Sequence, residues 1–222
     1  MSDSRADIFA RLKSALDADG NLTARRAGVA ARLAHPPRTE APSRVRNVDP
    51  VATFTMRAEE LGVTVNRVAD LNGLGVAVAE YLRAHNLPQV IRTSPELARK
   101  KIAWPGALTV TGGGTDGDDP VGVALACAGV AETGTVVMAS GAERPIKLNY
   151  LPETHIVVLR ARDIVGTYEQ GLDIVRGTKG ALLPRTINWI SGPSRTADIE
   201  QTILVGVHGP KRIAVVIVDE MV

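Results

Sequence analysis

The chain has 222 residues, 45% of them hydrophobic and only 3% aromatic, with a formal net charge of +2. This length and composition suit one substantial core of Val, Ile, Leu and Ala, and the scarcity of aromatic rings argues against a nucleic-acid partner bound by base stacking. The single cysteine, Cys127, excludes a disulfide framework and is too few for an iron–sulfur cluster or a structural zinc site. We therefore predict no cofactor and no redox centre in this chain.

The N-terminal part is predicted to be a helical arm. Residues 4–18 carry apolar side chains at helical spacing, which predicts an amphipathic helix. Residues 20–50 hold six arginines, two acids and four prolines, which predicts an extended or partly helical connection. We divide the chain into this arm, residues 1–49, and one main domain, residues 50–222. A solvated linker and a contact with an acidic partner both remain open for the arm.

The main domain alternates between helical and strand patterns. Helices are predicted at 51–61, 74–85, 95–101, 163–176 and 196–205, and strands at 63–68, 89–93, 135–139, 155–160, 186–190 and 212–219. This rhythm predicts an α/β fold with a mixed, mostly parallel sheet flanked by helices. Because no segment has the roughly 18 apolar residues of a spanning helix and the N-terminus lacks a signal-peptide core, we expect a cytoplasmic protein without membrane insertion.

The first candidate site motif is Ala131–Thr135, which reads Ala-Glu-Thr-Gly-Thr between an apolar run and a predicted strand. Glu132 can act as a general base, as a nucleophile towards an activated acyl group, or as an acceptor for ligand hydroxyls. Gly134 permits a close backbone approach or a positive φ, and Thr133 and Thr135 add hydroxyls. A strand-edge turn with Glu132 in a salt bridge is the alternative interpretation.

The second motif, Ser191–Glu200, reads Ser-Gly-Pro-Ser-Arg-Thr-Ala-Asp-Ile-Glu and joins a predicted strand to the helix predicted at 196–205. Free N–H groups at a helix N-terminus bind anions, and Arg195 can add a bidentate clamp on a carboxylate or phosphate. We therefore predict an anion site here, formed with the first motif by Ser191, Gly192, Ser194, Arg195, Thr196 and Asp198. An ordinary helix cap with an Arg–Asp pair is the alternative.

The third motif, Gly206–Pro210, reads Gly-Val-His-Gly-Pro before the last predicted strand. His208 can reach a ligand between its glycines and exchange protons near neutral pH. Glu132 and His208 are therefore the candidate catalytic residues, with a structural turn histidine as the alternative for His208. His155, at the start of a strand, is predicted to be structural, and Cys127 to be a buried, inert thiol.

These three motifs, together with Leu151–Pro152 and His155–Ile156, resemble the LUD domain and, within it, the lactate-utilization protein C family, also called LutC or YkgG. The resemblance is close over residues 121–218 and loose over 50–119, and Lys147–Tyr150 depart from it. It implies a fold similar to the NagB/RpiA/CoA transferase-like superfamily. It also implies a non-redox role in the oxidation of L-lactate to pyruvate, alongside partner proteins that carry the iron–sulfur clusters.

Two classes of function remain open at this point. The first is a non-redox subunit of an L-lactate utilization system that binds a small carboxylate or another anion. The second is a free-standing CoA transferase-like or sugar-phosphate isomerase-like enzyme that uses Glu132. A scaffold with a degenerate site is a third possibility, and the family implies no settled catalytic residue for this subunit.

Overall fold

The computed structural model describes residues 4–16, 20–35, 48–179, 183–197 and 203–220. The chain forms two compact units, Met1–Glu40 and Ala41–Val222. The first unit contains helices α1 (Ser4–Leu16) and α2 (Leu22–Ala34), and neither of them buries a residue. The helix predicted at 4–18 is confirmed as far as Leu16, and α2 confirms that the arm is partly helical. The predicted limit of the main domain at residue 50 falls inside the second unit.

The second unit alternates helices and strands from α3 onward. In chain order its elements are α3 (Pro50–Glu60), β1 (Thr64–Asp70), α4 (Leu71–Ala84), β2 (Val90–Thr93), α5 (Pro95–Ala98), β3 (Thr109–Gly112), β4 (Val121–Leu125), β5 (Ala128–Val130), β6 (Thr135–Ala139), a 3₁₀ helix (Ile146–Asn149), β7 (Thr154–Arg160), a second 3₁₀ helix (Ala161–Asp163), β8 (Ile164–Val165), α6 (Tyr168–Lys179), β9 (Ile187–Ile190), β10 (Arg195–Ala197), β11 (Ile203–Val205) and β12 (Arg212–Glu220).

A six-stranded sheet in the order β1-β12-β7-β4-β2-β3 forms the centre of this unit, and all of its pairings are parallel. Its central strands are covered on both faces and therefore consist largely of Val, Ile and Leu. Alternate residues of β7 pack on opposite faces of the central sheet. Ile156 and Val158 pack in the apolar cluster with α4, while Val157 and Leu159 pack in the apolar cluster with Phe54 of α3.

A four-stranded sheet in the order β8-β5-β6-β9 lies on the α3 side of the central sheet. Its outer face packs against α6, where Val175 meets Val130 and Val137 in a third apolar cluster. The predicted α/β architecture, with a mostly parallel sheet flanked by helices, is confirmed. The second sheet brings the predicted site motifs of β6 and β9 next to each other, because these two strands are antiparallel neighbours.

The helix predicted at 196–205 is wrong. Arg195–Ala197 and Ile203–Val205 are strands that pair antiparallel with each other, with Thr196 opposite Leu204. The β-branched residues Thr196, Ile203 and Val205 favour extended backbone, in agreement with the strands observed here. The helix predicted at 163–176 begins only at Tyr168, because Ile164–Val165 pairs with β5 first. Strand β3 was not predicted.

None of the described helices combines the length and the hydropathy that a membrane crossing requires.

Candidate functional site

The turn between β5 and β6 carries the first predicted motif, and the structure fixes it against α3. Gly134 has a φ of +62°, and a Cβ atom placed on it would lie 2.7 Å from Ala58 Cα, so only glycine fits this contact. On the other side, the Ala131 N–H donates to the Val165 carbonyl at 2.8 Å, and the Glu132 N–H donates to the Gly166 carbonyl at 3.1 Å. The predicted close backbone approach at Gly134 is confirmed.

Four hydroxyl groups meet at this turn. Thr135 Oγ1 lies 2.7 Å from Thr133 Oγ1 and 2.6 Å from Ser191 Oγ, and Tyr168 Oη lies 3.0 Å from both threonine oxygens. The structure thus brings three predicted site residues together from two of the motifs and adds Tyr168. Because each hydroxyl can both donate and accept, the cluster can turn its hydrogens to suit a bound donor or acceptor.

Tyr168 is positioned by the first turn of α6. Thr167 Oγ1 accepts from the Gln170 N–H at 3.4 Å, while Gln170 Oε1 accepts from the N–H groups of Thr167 and Gly166 at 3.1 and 2.9 Å. This reciprocal arrangement is a capping box, and it places Tyr168 at the first position of the helix. The Tyr168 ring also lies against Trp189, with 5.1 Å between ring centroids. The Thr-x-x-Gln spacing was the sequence signal that could have identified this residue.

The hydroxyl cluster borders a pocket of about 470 Å³, which we call the Arg57 pocket. It is lined by Arg57, Glu60, Leu61, Glu132, Thr133, Tyr168 and Ser191. Arg57 Nη1 donates to Glu60 Oε2 at 2.8 Å, and both side chains are partly exposed. Arg57 supplies the positive charge of this pocket and was not identified from the sequence, because on α3 it resembles any solvent-facing arginine.

The anion site predicted at a helix N-terminus in Ser191–Glu200 is not formed by the described residues. Arg195 stands in β10 instead, and its Nη2 donates to the Leu61 carbonyl at 2.9 Å. Gly192, with a φ of +82°, lies next to the same Leu61. A strand follows the turn where a helix was predicted. Arg195 therefore joins the turn to Leu61, the residue after α3, and it does not line the Arg57 pocket. Asp198 lies outside the described residues.

The loop with His208 borders a second pocket, which we call the Asn149 pocket. It measures about 240 Å³ and is lined by Asn149, Tyr150, Trp189, Ile190, Ser191, Gly192, Ser194, His208, Gly209, Pro210 and Ile213. The Ser194 N–H donates to the Pro210 carbonyl at 3.0 Å, which joins the two predicted turns. The two candidate catalytic residues therefore lie in different pockets, and Ser191 lines both.

Two further residues with reactive side chains, His155 and Cys127, are buried inside the fold. His155 is fully buried, and burial lowers its pKa from 6.5 to about 4. Cys127 is 2% exposed and accepts a hydrogen bond from the Arg144 guanidinium, which also binds Glu96. Both side chains are buried, and the structural roles of His155 and Cys127 stay predictions. Within the described ranges, no three His, Cys, Asp or Glu side chains gather as metal ligands do.

The family model of the LUD domain matches residues 120–218. Lactate utilization protein C from Geobacillus kaustophilus (strain HTA426) and that from Bacillus subtilis (strain 168) are each 38% identical over 102 residues, which is 45% of this chain and 42% of each relative. The uncharacterized protein YkgG from Escherichia coli (strain K12) is 41% identical over 102 residues, 44% of its length. The chain thus matches less than half the length of these curated relatives.

The crystal structure of a DUF162 family protein from Deinococcus radiodurans has a similar fold, with a TM-score of 0.57 and 24% sequence identity. The similarity covers 76% of this chain and 96% of that chain. The LUD domain predicted to begin at residue 50 is matched in sequence only from residue 120, so its earlier part stays a prediction. Residues 120–218 thus resemble the LUD domain, and the chain is similar in sequence to lactate utilization protein C and to YkgG.

Proposed function

We propose that this chain is a non-redox component of an L-lactate utilization system and that its Arg57 pocket binds a small carboxylate. The observation that carries the proposal is Arg57, the one cation among the described residues of the pocket, which lies there with three hydroxyl-bearing residues and with Glu60 and Glu132. The names of the relatives that match residues of the LUD domain supply the pathway.

A 2-hydroxy or 2-oxo acid has the chemical groups that this pocket complements. Arg57 would bind the carboxylate, since a guanidinium has five N–H donors and its bond to Glu60 leaves others available. The Thr133 and Ser191 hydroxyls would bind the hydroxyl or keto oxygen on the next carbon. Glu132, which lines the same pocket, would accept a hydrogen bond from the hydroxyl of a 2-hydroxy acid.

In this proposal, electron transfer belongs to partner proteins with iron–sulfur clusters, as the family resemblance implies. The supporting feature is the single cysteine within these 222 residues, which is buried against Arg144. The proposal also places the chain in the cytoplasm, together with those partners. Co-purification of cluster-bearing proteins with the tagged chain tests this part, and a chain that consistently purifies alone would contradict it.

Calorimetric titration with L-lactate and pyruvate tests the ligand. Wild-type protein should give a saturable heat, and Arg57→Gln should weaken binding by about tenfold or more, because charge-assisted hydrogen bonds contribute about 1.5–3 kcal/mol. Arg67→Gln is the matched control, since Arg67 forms an exposed pair with Asp219 at 2.8 Å. Arg195→Ala tests the anion-binding role predicted from sequence. Absence of heat with every carboxylate in the wild type would contradict the proposal.

A second candidate function is a CoA transferase-like or sugar-phosphate isomerase-like enzyme. The observation that favours it is the position of Glu132 in a pocket lined by hydroxyl groups, where a carboxylate can serve as nucleophile or base. Mass spectrometry after incubation with acyl-CoA would reveal a glutamyl-CoA adduct at Glu132. Enzymatic activities of either type that persist unchanged in Glu132→Gln would eliminate this candidate.

A further inference from the structure

Thr135 lies behind the Arg57 pocket and contacts every other hydroxyl of the cluster. It is 0% exposed and is not among the residues that line the pocket. Its Oγ1 lies 2.6–3.0 Å from the hydroxyl oxygens of Thr133, Tyr168 and Ser191, and all three of these residues line the pocket. Because a hydroxyl has one hydrogen and two lone pairs, three partners saturate it. Thr135 can therefore act on a ligand only through the three hydroxyls around it.

The cluster uses all of its hydroxyl hydrogens internally. Four hydroxyl groups have four hydrogens, and four contacts of 2.6–3.0 Å join their oxygen atoms. These are the distances of O–H···O hydrogen bonds, so each contact takes one hydrogen. With all four contacts formed, no hydroxyl hydrogen is left for a ligand.

The geometry also fixes the direction of each hydrogen bond. Thr133 donates to Tyr168, so the hydrogen between Thr133 and Thr135 comes from Thr135. The other two hydrogen bonds of Thr135 are then donated to it by Tyr168 and by Ser191. The hydroxyls that line the pocket consequently present lone pairs to it and accept hydrogen bonds.

The charged side chains of the pocket complete this pattern. Ionised carboxylates such as those of Glu60 and Glu132 only accept hydrogen bonds, whereas the guanidinium of Arg57 only donates them. Among the described residues that line the pocket, Arg57 thus provides the side-chain donors and the others provide acceptors. The matching ligand combines an anion for Arg57 with a hydrogen-bond donor beside it.

We propose that Thr135 is a positioning residue that keeps the hydroxyl hydrogens inside the cluster, so that the Arg57 pocket selects a 2-hydroxy acid over the corresponding 2-oxo acid. The inference rests on the proposed function, in which this pocket binds a small carboxylate. The hydroxyl of a 2-hydroxy acid donates to the Thr133 or Ser191 oxygen and leaves the cluster intact. A keto oxygen has no hydrogen, so it is bound by the cluster only when a hydroxyl turns outward and one internal hydrogen bond is lost.

Calorimetric titration of wild type and Thr135→Val with L-lactate and pyruvate tests this proposal. Wild type should bind L-lactate about tenfold more tightly than pyruvate, because one hydrogen bond separates the two complexes. Thr135→Val removes three of the four contacts and frees the hydrogens of Tyr168 and Ser191. The variant should therefore bind pyruvate about three- to tenfold more tightly than wild type does, without a gain for L-lactate. Damage to the fold would weaken the binding of both ligands, so a gain for pyruvate alone reports the direction of the hydrogens.

Three further variants serve as controls. Thr135→Ser keeps the hydroxyl and should keep the wild-type preference. Thr154→Val is the matched control, since Thr154 is 1% exposed, its hydroxyl has no partner among the described residues and it does not line the pocket. Tyr168→Phe leaves three hydroxyls joined by two contacts, so one hydrogen becomes free and the preference for L-lactate should fall. This last variant tests the proposal even where Thr135→Val does not fold.

Three results would overturn the proposal. The first is wild-type binding of pyruvate that equals or exceeds that of L-lactate. The second is an unchanged preference in Tyr168→Phe and in folded Thr135→Val, and the third is a loss of preference in Thr135→Ser as large as that in Thr135→Val. Equal binding of both ligands that Arg57→Gln weakens would overturn this inference alone, whereas absence of heat with both ligands would contradict the proposed function as well.

Discussion

His155 provides a quantitative test of how the central sheet is packed. It lies in β7 between Gly122 of β4 and Ile213 of β12, and it is 0% exposed. Neither ring nitrogen has a hydrogen-bond partner among the described residues. Burial without a partner disfavours the charged imidazolium and lowers the pKa of His155 from 6.5 to about 4.

This lowered pKa makes stability depend on pH in a defined direction. Between pH 6.5 and about 4 the unfolded chain binds a proton at His155 that the folded chain does not. The free energy of unfolding therefore has its full His155 contribution above pH 6.5 and loses up to about 1.4 kcal/mol per pH unit as the pH falls. Over the whole interval, the loss is about 3 kcal/mol.

Urea unfolding of wild type and His155→Leu at a series of pH values measures this loss. The variant removes the titrating ring, so its stability relative to the wild type should rise by about 3 kcal/mol between about pH 7 and pH 4. Ile156→Val, at the next position of β7, should cost about 0.5–1.5 kcal/mol at every pH and serves as the control. If His155→Leu and wild type show parallel pH profiles, the reasoning about a buried, unpaired histidine is refuted.

Three further predictions concern the turn and the hydroxyl cluster. Gly134→Ala should lower the free energy of unfolding by more than about 2 kcal/mol, because the added Cβ overlaps the backbone of α3 and the residue has a positive φ. Gly177→Ala, on α6 with no atom near the added Cβ, should raise the free energy of unfolding by about 0.5–1 kcal/mol. Chemical denaturation that gives the two variants equal stability would contradict this prediction. Thr167→Ala should cost about 1 kcal/mol through loss of the α6 cap, and an unchanged denaturation midpoint would show that the cap is not formed. Ser191→Ala should weaken L-lactate binding several-fold, by about 1 kcal/mol in calorimetric titration, and unchanged L-lactate binding would separate Ser191 from the Arg57 pocket.

Much of the central architecture could be predicted because its strands are buried. The predicted strands at 135–139, 155–160 and 212–219 differ from β6, β7 and β12 by no more than one residue at either end. Strands covered on both faces give continuous apolar runs that stand out from their flanking turns. The predicted freedom of Gly134 also agrees with the structure, since the need for glycine there arises from a local turn.

The features that could not be predicted depend on tertiary contacts. The strands β10 and β11 are three residues each, too short for a periodic pattern to distinguish them from a helix. Arg57 acquires its significance only when α3 packs beside the distant turn that carries Glu132. Sequence patterns identified the turn with Glu132, but the guanidinium of Arg57 in the same pocket comes from α3, far away in the chain.

Growth on L-lactate most directly tests the account that the Arg57 pocket serves L-lactate utilization. A strain that lacks the gene should fail to grow on L-lactate but grow on glucose, and wild-type and Arg67→Gln genes should restore growth on L-lactate. The Arg57→Gln gene, expressed at the same level, should not restore it. Normal growth of the deletion strain on L-lactate, or full restoration by Arg57→Gln, would contradict the central claim.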